Sequence, residues 1–438
     1  MPTIILGGGI IGASIAYYLT EQQEKQQQQN DPEIHIIESS STLFSSASGY
    51  AAGFLAKDWF EPSLLPLAAL SFEMHESLAK AQGGEKKWGF MKGTALSLGS
   101  TDAGSGGARG DDWLRSGTSR AETATSSRPV VTEGPGWLTA QKGTAIERIS
   151  EGDDVAQVDP LRLSQFLLEK AMSRGVNLHQ PSKATSLITD EKGLITAVKI
   201  TNIDTKIETI LPCTNLIIAA GAWTPRVFES LFSSSSTTFP IYPLAGYSLV
   251  VRSPRYTAEH EAKTNGASHA VFTTHPPSCG FSPEIFSREG NEIYIAGLNS
   301  QVIPVPDRVD DLKHFFEEKE MNKLKNVMVR LMGKLPTGSP EAIEEVSNIN
   351  DLEIIREGLC FRPVAERGVP FVSRVDDSVL GDGVKTSNDG GVFVASGHGP
   401  WGISLSLGTG KVVADLVRGI KPAVDISGLG VGSSRAKL

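Results

Sequence analysis

Cysteine is scarce in this sequence of 438 residues, and the three thiols, Cys213, Cys279 and Cys360, lie far apart. An odd, scattered trio makes no disulfide framework, and no CxxC or Cys/His spacing points to a metal; a reducing compartment is the natural reading. Long apolar runs are missing too. No segment approaches the roughly eighteen apolar residues that a spanning helix needs, so no membrane span is expected. The apolar stretch from Thr3 follows no basic leader, which predicts no cleaved signal peptide. Positive charge is in deficit: 41 Lys and Arg against 50 Asp and Glu leave a net charge of −9. That argues against nucleic acid, whose phosphates call for a clustered basic surface.

What is abundant is glycine, 45 residues in a chain that is 39% hydrophobic and 21% charged. This is the composition of a globular protein, long enough for two or three structural units. Thr3–Leu6 is a short apolar run, followed by Gly7-Gly8-Gly9-Ile10-Ile11-Gly12 and the apolar stretch Ala13–Leu19. The order predicts strand, glycine turn, helix. A polar, glutamine-rich loop over Glu21–Asn30 precedes a second strand, Ile34–Ile37, which closes with Glu38. Asp159-Pro160 opens a helix that runs to about Arg174 and stops at Gly175. Ala184–Thr189, Ile195–Thr201 and Ile207–Leu211 alternate as an antiparallel meander, and Leu216–Ala220 reads as a buried strand. Tyr247–Val251, Glu292–Ala296, Gly358–Pro363 and Gly391–Ser396 are further strand-like runs. Val309–Lys334 reads as one helix, and another is expected from about Ile403 to Val417. Residues 99–135, rich in Ser, Gly, Thr and Asp, are expected to form a mobile surface excursion.

The expected class is α/β. A Rossmann-like unit with a parallel sheet and a β-meander (1–60, 150–228 and 345–438) is interrupted by an antiparallel-sheet, α+β unit (61–149 and 229–344). In the glycine turn, Gly7 permits the sharp exit from the strand. Gly9 lets backbone approach a pyrophosphate seated on the helix N-terminus, and Gly12 lets the helix pack on the sheet. Glu38 would accept from a ribose 2′-OH. The small-residue loop Ser45–Leu55, placed where a nicotinamide enzyme would continue into another helix, points to FAD rather than NAD.

With these motifs in order, the chain resembles the family of D-amino-acid oxidase, glycine oxidase and sarcosine oxidase. The likeness is carried by Gly7–Gly12 with Glu38, Ala47-Ser48-Gly49 with Ala52-Gly53-Phe54, and Gln157-Val158-Asp159-Pro160. It continues through Ile218–Trp223, Cys360-Phe361-Arg362-Pro363 and Gly397-His398-Gly399-Pro400-Trp401-Gly402-Ile403. Within the family it is most similar to a fungal branch with the loop Ala-Ser-Gly-x-Ala-x-Gly-Phe-Leu-Ala. The resemblance implies a flavoprotein whose FAD meets Gly7, Gly9, Ile10, Ile11, Gly12, Glu38, Ser39, Ser46, Ala47, Ser48, Ala52, Gly53 and Phe54. Further on it implies Ala184 at the adenine, Ala220 and Gly221 beside the cofactor, and Cys360 near the flavin. His398, Gly399, Pro400, Trp401, Gly402 and Ile403 would bring amides to the flavin N1–C2=O edge, where reduction places negative charge.

For the substrate, the resemblance implies that Arg362 clamps a carboxylate, with a structural salt bridge as the alternative. Cys360 stands where sarcosine-oxidase-like members bond the flavin, although a buried cysteine is as readily a small hydrophobe. Tyr50, Phe54 and Trp401 are candidates either for the cavity wall or for core. Tyr294 stands where sarcosine-type members carry an oxygen-activating lysine.

The expected activity is FAD-dependent oxidation of an amine or amino acid, by hydride transfer from the substrate carbon to flavin N5, with oxygen as acceptor and peroxide as product. A dehydrogenase with another acceptor, or a flavoprotein without catalysis that serves regulation or interaction, are the competing readings. The chain closes on Ala436-Lys437-Leu438, a variant of the peroxisomal Ser-Lys-Leu address. It predicts the import receptor as a partner and a peroxisomal rather than cytoplasmic location.

Overall fold

Four short apolar runs, Thr3–Leu6, Ile34–Ile37, Asn215–Ile218 and Gly391–Ser396, are buried along their whole lengths. Strands of this kind are covered on both faces, and they pair in parallel. In the computed structural model they form one six-stranded sheet in the order 371–375, 391–396, 215–218, 3–6, 34–37, 177–179. Only the edge strand Phe371–Val375 runs antiparallel. The structure describes residues 1–21, 33–100, 130–131, 134–150, 152–263, 266–273, 281–338, 348–381 and 383–431. The glutamine-rich loop, most of the 99–135 excursion, Cys279 and the C-terminal Ala-Lys-Leu lie outside the described residues.

Alternation along these strands sorts the layers. Ile5, Ile36 and Ile217 pack toward the helices Ile10–Glu21, Pro160–Ser173 and Ser406–Val417. Ile4, Leu6 and Ile218 pack instead with Val198 and Ile200 of the antiparallel meander Ser182–Thr189, Ile195–Asn202 and Glu208–Pro212. The Asp159 side chain caps its helix by accepting from Arg162 N, with Pro160 in the first turn.

The second sheet runs in the order 353–365, 241–252, 292–300, 284–288, 268–273, 91–100, 144–150, 130–131. Its pairs are antiparallel except Ser268–Thr273 with Met91–Ser100. Period-2 alternation gives it two apolar faces. Ile293 and Ile295 meet Met321, Leu324 and Met328 of the helix Glu318–Met332. Tyr294, Ala296, Phe286 and Phe272 meet Phe54 and Trp59, the loop region that follows the second nucleotide strand.

Four expectations are corrected. Val309–Lys334 is not one helix: a 3-10 turn, Val309–Phe315, is followed by extended backbone at Phe316 and Glu317 before the helix Glu318–Met332. Its start is tethered elsewhere, because Asp310 bonds Ser40 and Ser41, while Glu317 N donates to Tyr247 Oη at 3.1 Å. The last helix begins at Ser406 rather than near Ile403, since Ser71 and His75 take up the carbonyls of Ser404 and Ile403. Glu353–Ala365, allotted above to the unit 345–438 of the parallel sheet, is hydrogen-bonded to Ile241–Arg252 of the second sheet. Finally, the 99–135 excursion is not wholly outside the sheets. Gly99 and Ser100 pair with Ala145 and Thr144, and Val130-Val131 pairs with Glu147 and Ile146.

Candidate active site

A cavity of about 760 Å³ runs between the two sheets, within the range usual for cofactor and ligand sites. At one end it is lined by Ser182, Lys183 and Ala184 of the meander and by Glu38; Gly7, Gly9, Ile10 and Ile11 follow. Gly7 has φ of +112°, and a Cβ there would lie 2.5 Å from Ala219 O, so the turn admits only glycine. A Cβ on Gly12 would run into Gly7 O; this glycine packs the helix against its own turn and is not a wall residue. A Cβ on Gly9 would meet only Ser48 Oγ, at 3.0 Å, which leaves a cradle of backbone open at the helix N-terminus. Ser48 Oγ in turn accepts from Ile10 N at 2.9 Å.

Glu38 is positioned by backbone. Its Oε2 accepts from Gly8 N at 2.8 Å and its Oε1 from Ser40 N at 2.8 Å. Burial pushes this carboxyl up, against those two amides, which favour the ionised form. Beside it, Asp310 closes the loop from the other sheet's side. Its carboxylate accepts from Ser40 Oγ at 2.8 Å, from Ser41 Oγ at 3.0 Å and from Arg308 Nη2 at 2.8 Å. Burial opposes the Asp310 charge, but the serine bonds and the Arg308 guanidinium together hold its pKa below the usual carboxylate range.

These residues fit an adenine dinucleotide. Glycine backbone opens on the cavity, an acid waits at the end of the second strand, and Ser46 Oγ is buried with no hydrogen-bond partner among the described residues.

The other end is held together by groups that the motifs did not mark. Arg288, buried in the second sheet, donates from Nη2 to Ala51 O and Ala52 O at 2.6 Å each. Gln157 Nε2 donates to Ala52 O at 2.6 Å. Ser71 Oγ donates to Ser404 O at 2.6 Å and accepts from Gly408 N at 3.0 Å, and His75 Nε2 donates to Ile403 O at 3.1 Å. Burial pulls the His75 pKa down to about 4, so the ring is neutral. The helix Leu65–Gln82, which supplies Ser71 and His75, carried no sequence signal beyond its apolar residues. Only contact with residues more than 300 positions away reveals its part.

Of the residues singled out from sequence, Gly7, Gly9, Ile10, Ile11, Glu38, Ser39, Ser46, Ala47 and Ser48 line the cavity. So do Ala52, Gly53, Phe54, Ala184, Ala220, Gly221, Cys360, Arg362, His398, Gly399, Pro400, Gly402 and Ile403. Tyr50 and Trp401 are not among its lining residues; of the two places left open above, Trp401 takes the core, and Tyr50 packs half-buried against the second sheet. The Tyr50 ring packs over Gly358, with the Arg356 guanidinium 4.9 Å from its centroid. Trp401 is 4% exposed and lies against Phe60, ring centroids 4.7 Å apart. Aromatic surface of that size is buried where there is apolar company. His398 lines the cavity but turns its Nε2 to Thr409 Oγ1 at 3.1 Å, and burial pulls its pKa down to about 3.

Arg362 stands in the wall with Nη1 donating to Asn299 Oδ1 at 2.7 Å, the guanidinium lying over Gly246, where any Cβ would collide with it. No ion pair of Arg362 occurs among the described residues, so the structural-salt-bridge alternative finds no support there. Cys360 is buried and free; burial pushes its thiol up, while Arg362 and Arg356 pull the other way. Tyr294 Oη donates to Tyr50 O at 3.0 Å.

Comparison with known proteins agrees with this architecture. Glycine oxidase from Geobacillus kaustophilus superposes with a TM-score of 0.68 at 22% identity, covering 98% of this chain and 97% of that one, which shows a common fold. Protein C1F5.03c of Schizosaccharomyces pombe is 25% identical over 94% of this chain and 93% of its own length. TDA3 of Saccharomyces cerevisiae is 23% identical over 97% and 93%. The model of the FAD dependent oxidoreductase family matches residues 3–416, nearly the whole chain. With the glycine cradle and the acid of the second strand in place, the chain belongs to the FAD-dependent oxidoreductases of the D-amino-acid oxidase type, and its cofactor is FAD.

Proposed function

We propose that this protein oxidises an amine or amino acid at the carbon that carries nitrogen, with oxygen as the electron acceptor. The observation that carries the reading is Arg362: a guanidinium in the wall of the FAD cavity, oriented by Asn299 and free to meet a planar carboxylate in a bidentate pair. When bound, FAD supplies the hydride acceptor and, through oxygen, the route to peroxide. The chain's part is to position and to exclude water. Arg362 fixes one end of the substrate, while Phe54, Pro400 and Ile403 present apolar surface beside it. His398 is neutral, a weak base and engaged with Thr409, so it is not the group that takes a proton from the substrate amine. The buried, neutral Cys360 thiol supports a noncovalently held cofactor.

An anaerobic screen of amino acids, N-methyl amino acids and glycated amino acids, watching for flavin bleaching, tests the reading. Arg362→Ala is expected to raise KM for carboxylate substrates about 10- to 150-fold, the value of one charge-assisted pair. An unchanged KM would remove Arg362 from the site. One observation favours a second reading: Tyr294, not a lysine, stands on the strand that faces the cofactor, which suits a dehydrogenase. Flavin that bleaches with substrate and stays bleached in air would select it. Peroxisomal delivery through Ala436-Lys437-Leu438 belongs to the oxidase reading, since peroxide is then made beside catalase.

A further inference from the structure

We propose that Arg308, carried by the substrate half, holds a phosphate of the FAD pyrophosphate, so that the cofactor is gripped from both halves of the chain. The inference rests on the cofactor, and neither on Arg362 nor on the choice of substrate. Residues 305–310 follow the strand Glu292–Ser300 of the second sheet, yet both their ends are fastened to the half that carries the parallel sheet. At one end Trp223 Nε1 donates to Pro306 O at 2.7 Å, and Arg226 Nη2 to Val305 O at 3.0 Å. At the other, Asp310 accepts from Ser40 Oγ at 2.8 Å and from Ser41 Oγ at 3.0 Å.

The strand order tells what lies beneath this segment. Trp223 and Arg226 follow the strand Asn215–Ile218, while Ser40 and Ser41 follow Ile34–Ile37. Between those two strands, and parallel to both, runs Thr3–Leu6, which ends in the glycine turn. A segment tied beyond the ends of the two outer strands crosses the end of the middle one. Arg308 sits between the two anchors in extended backbone, and it lines the cavity together with Gly7, Gly9 and Glu38.

The side chain has a donor to spare. Arg308 Nη2 donates to Asp310 Oδ2 at 2.8 Å, while Nε is buried and meets no acceptor among the described residues. Two neighbouring cations of the cavity wall are engaged: Arg226 with Val305, Pro306 and Asp307, and Lys206 with Ile203 O at 2.6 Å. Asp310, itself bonded by two serines, fixes one nitrogen of the guanidinium and so orients the rest. A buried donor on a charged group is unfavourable while unpaired, and a phosphate oxygen satisfies it in a charge-assisted bond. The helix N-terminus at the glycine turn favours the same anion from the other side.

The test uses the FAD-loaded, full-length protein and two readouts: FAD release, followed by flavin fluorescence after dilution, and phosphorus NMR of the bound cofactor. Arg308→Gln is expected to speed release about ten- to hundred-fold, the value of one charge-assisted bond. It should also displace at least one pyrophosphate resonance by more than its linewidth. Part of the acceleration, about three-fold or more, should persist when Asp310→Ala is already present, because the contact is to the cofactor and not only to the carboxylate. Release at the wild-type rate, an acceleration that vanishes in the Asp310→Ala background, or unmoved phosphorus resonances would each overturn the assignment. Arg308→Lys keeps the charge without the planar fork and is expected to fall between. If Arg308→Gln retains no FAD, Arg308→Lys carries the test, and a wild-type release rate with an unchanged phosphorus spectrum would then sink the proposal.

Discussion

The two walls of the cavity are built in opposite ways. On the nucleotide side, the cradle is backbone: Gly7, Gly9 and Gly12 lie within six residues of one another, and Glu38 is held by amides of Gly8 and Ser40. On the substrate side, the wall is side chain: Arg362, Glu284 and Tyr294 come from three different strands of one sheet. A backbone cradle has to be right for any dinucleotide-binding relative, whereas a side-chain wall can be changed one residue at a time. The first region therefore reports the cofactor, and the second the substrate.

The comparison can be broken most severely at Gly12. Gly12→Ala places a methyl group against Gly7 O, and the helix must move off the sheet to admit it. FAD affinity is expected to fall about a hundred-fold or more, so that the purified protein is nearly colourless. Titration of added FAD by fluorescence quenching measures this; wild-type affinity would mean that the turn does not carry the cofactor.

Acid should act on the seam between the regions. Burial holds His75 near a pKa of about 4 and His398 near about 3, below the ordinary value of 6.5. Both rings are neutral in the folded protein, while in the unfolded chain they take up protons below that ordinary value. Their contribution is complete above about pH 6.5 and is lost as pH falls toward 4, by about 3 kcal/mol for each group. Thermal melts followed by flavin fluorescence should show the midpoint dropping through that window, and dropping less in His75→Gln. A flat profile would show that these rings are not buried neutral.

A smaller effect is expected at Asp310, where the second half reaches across to the loop that carries Glu38. Its bonds to Ser40 and Ser41 are partly exposed, so Asp310→Ala should cost about 1–2 kcal/mol and speed FAD release about ten-fold. Stopped-flow fluorescence after dilution measures it, and an unchanged rate would mean that the strap holds nothing. The smallest effect belongs to Cys360. Acid precipitation should leave yellow FAD in the supernatant from wild type and from Cys360→Ser alike, with FAD content changed less than about two-fold. A yellow pellet from wild type alone would reveal a covalent bond.

Much of the nucleotide half was legible because its determinants are local. A strand, a three-glycine turn, a helix and an acid closing the next strand need no knowledge of distant contacts, and the structure brings Thr3–Leu6, Ile34–Ile37, Asn215–Ile218 and Gly391–Ser396 together in one sheet. Aromatic residues were ambiguous. Tyr50 and Trp401 sit inside cofactor-adjacent motifs that left both open between cavity wall and core, and the contacts that place them, Gly358 and Arg356 for the one and Phe60 for the other, cannot be read from the motif.

The amino-acid order alone determined the cofactor class and the parallel core, since φ at glycine, strand hydrophobicity and helix capping act within a few residues. Tertiary structure alone decided which charges face the cavity. Arg288 and Arg362 stand in the same sheet, yet the first is spent on two carbonyls and the second is presented to a ligand. Strand register and the packing of one half on the other set that difference, and both depend on contacts between residues hundreds of positions apart.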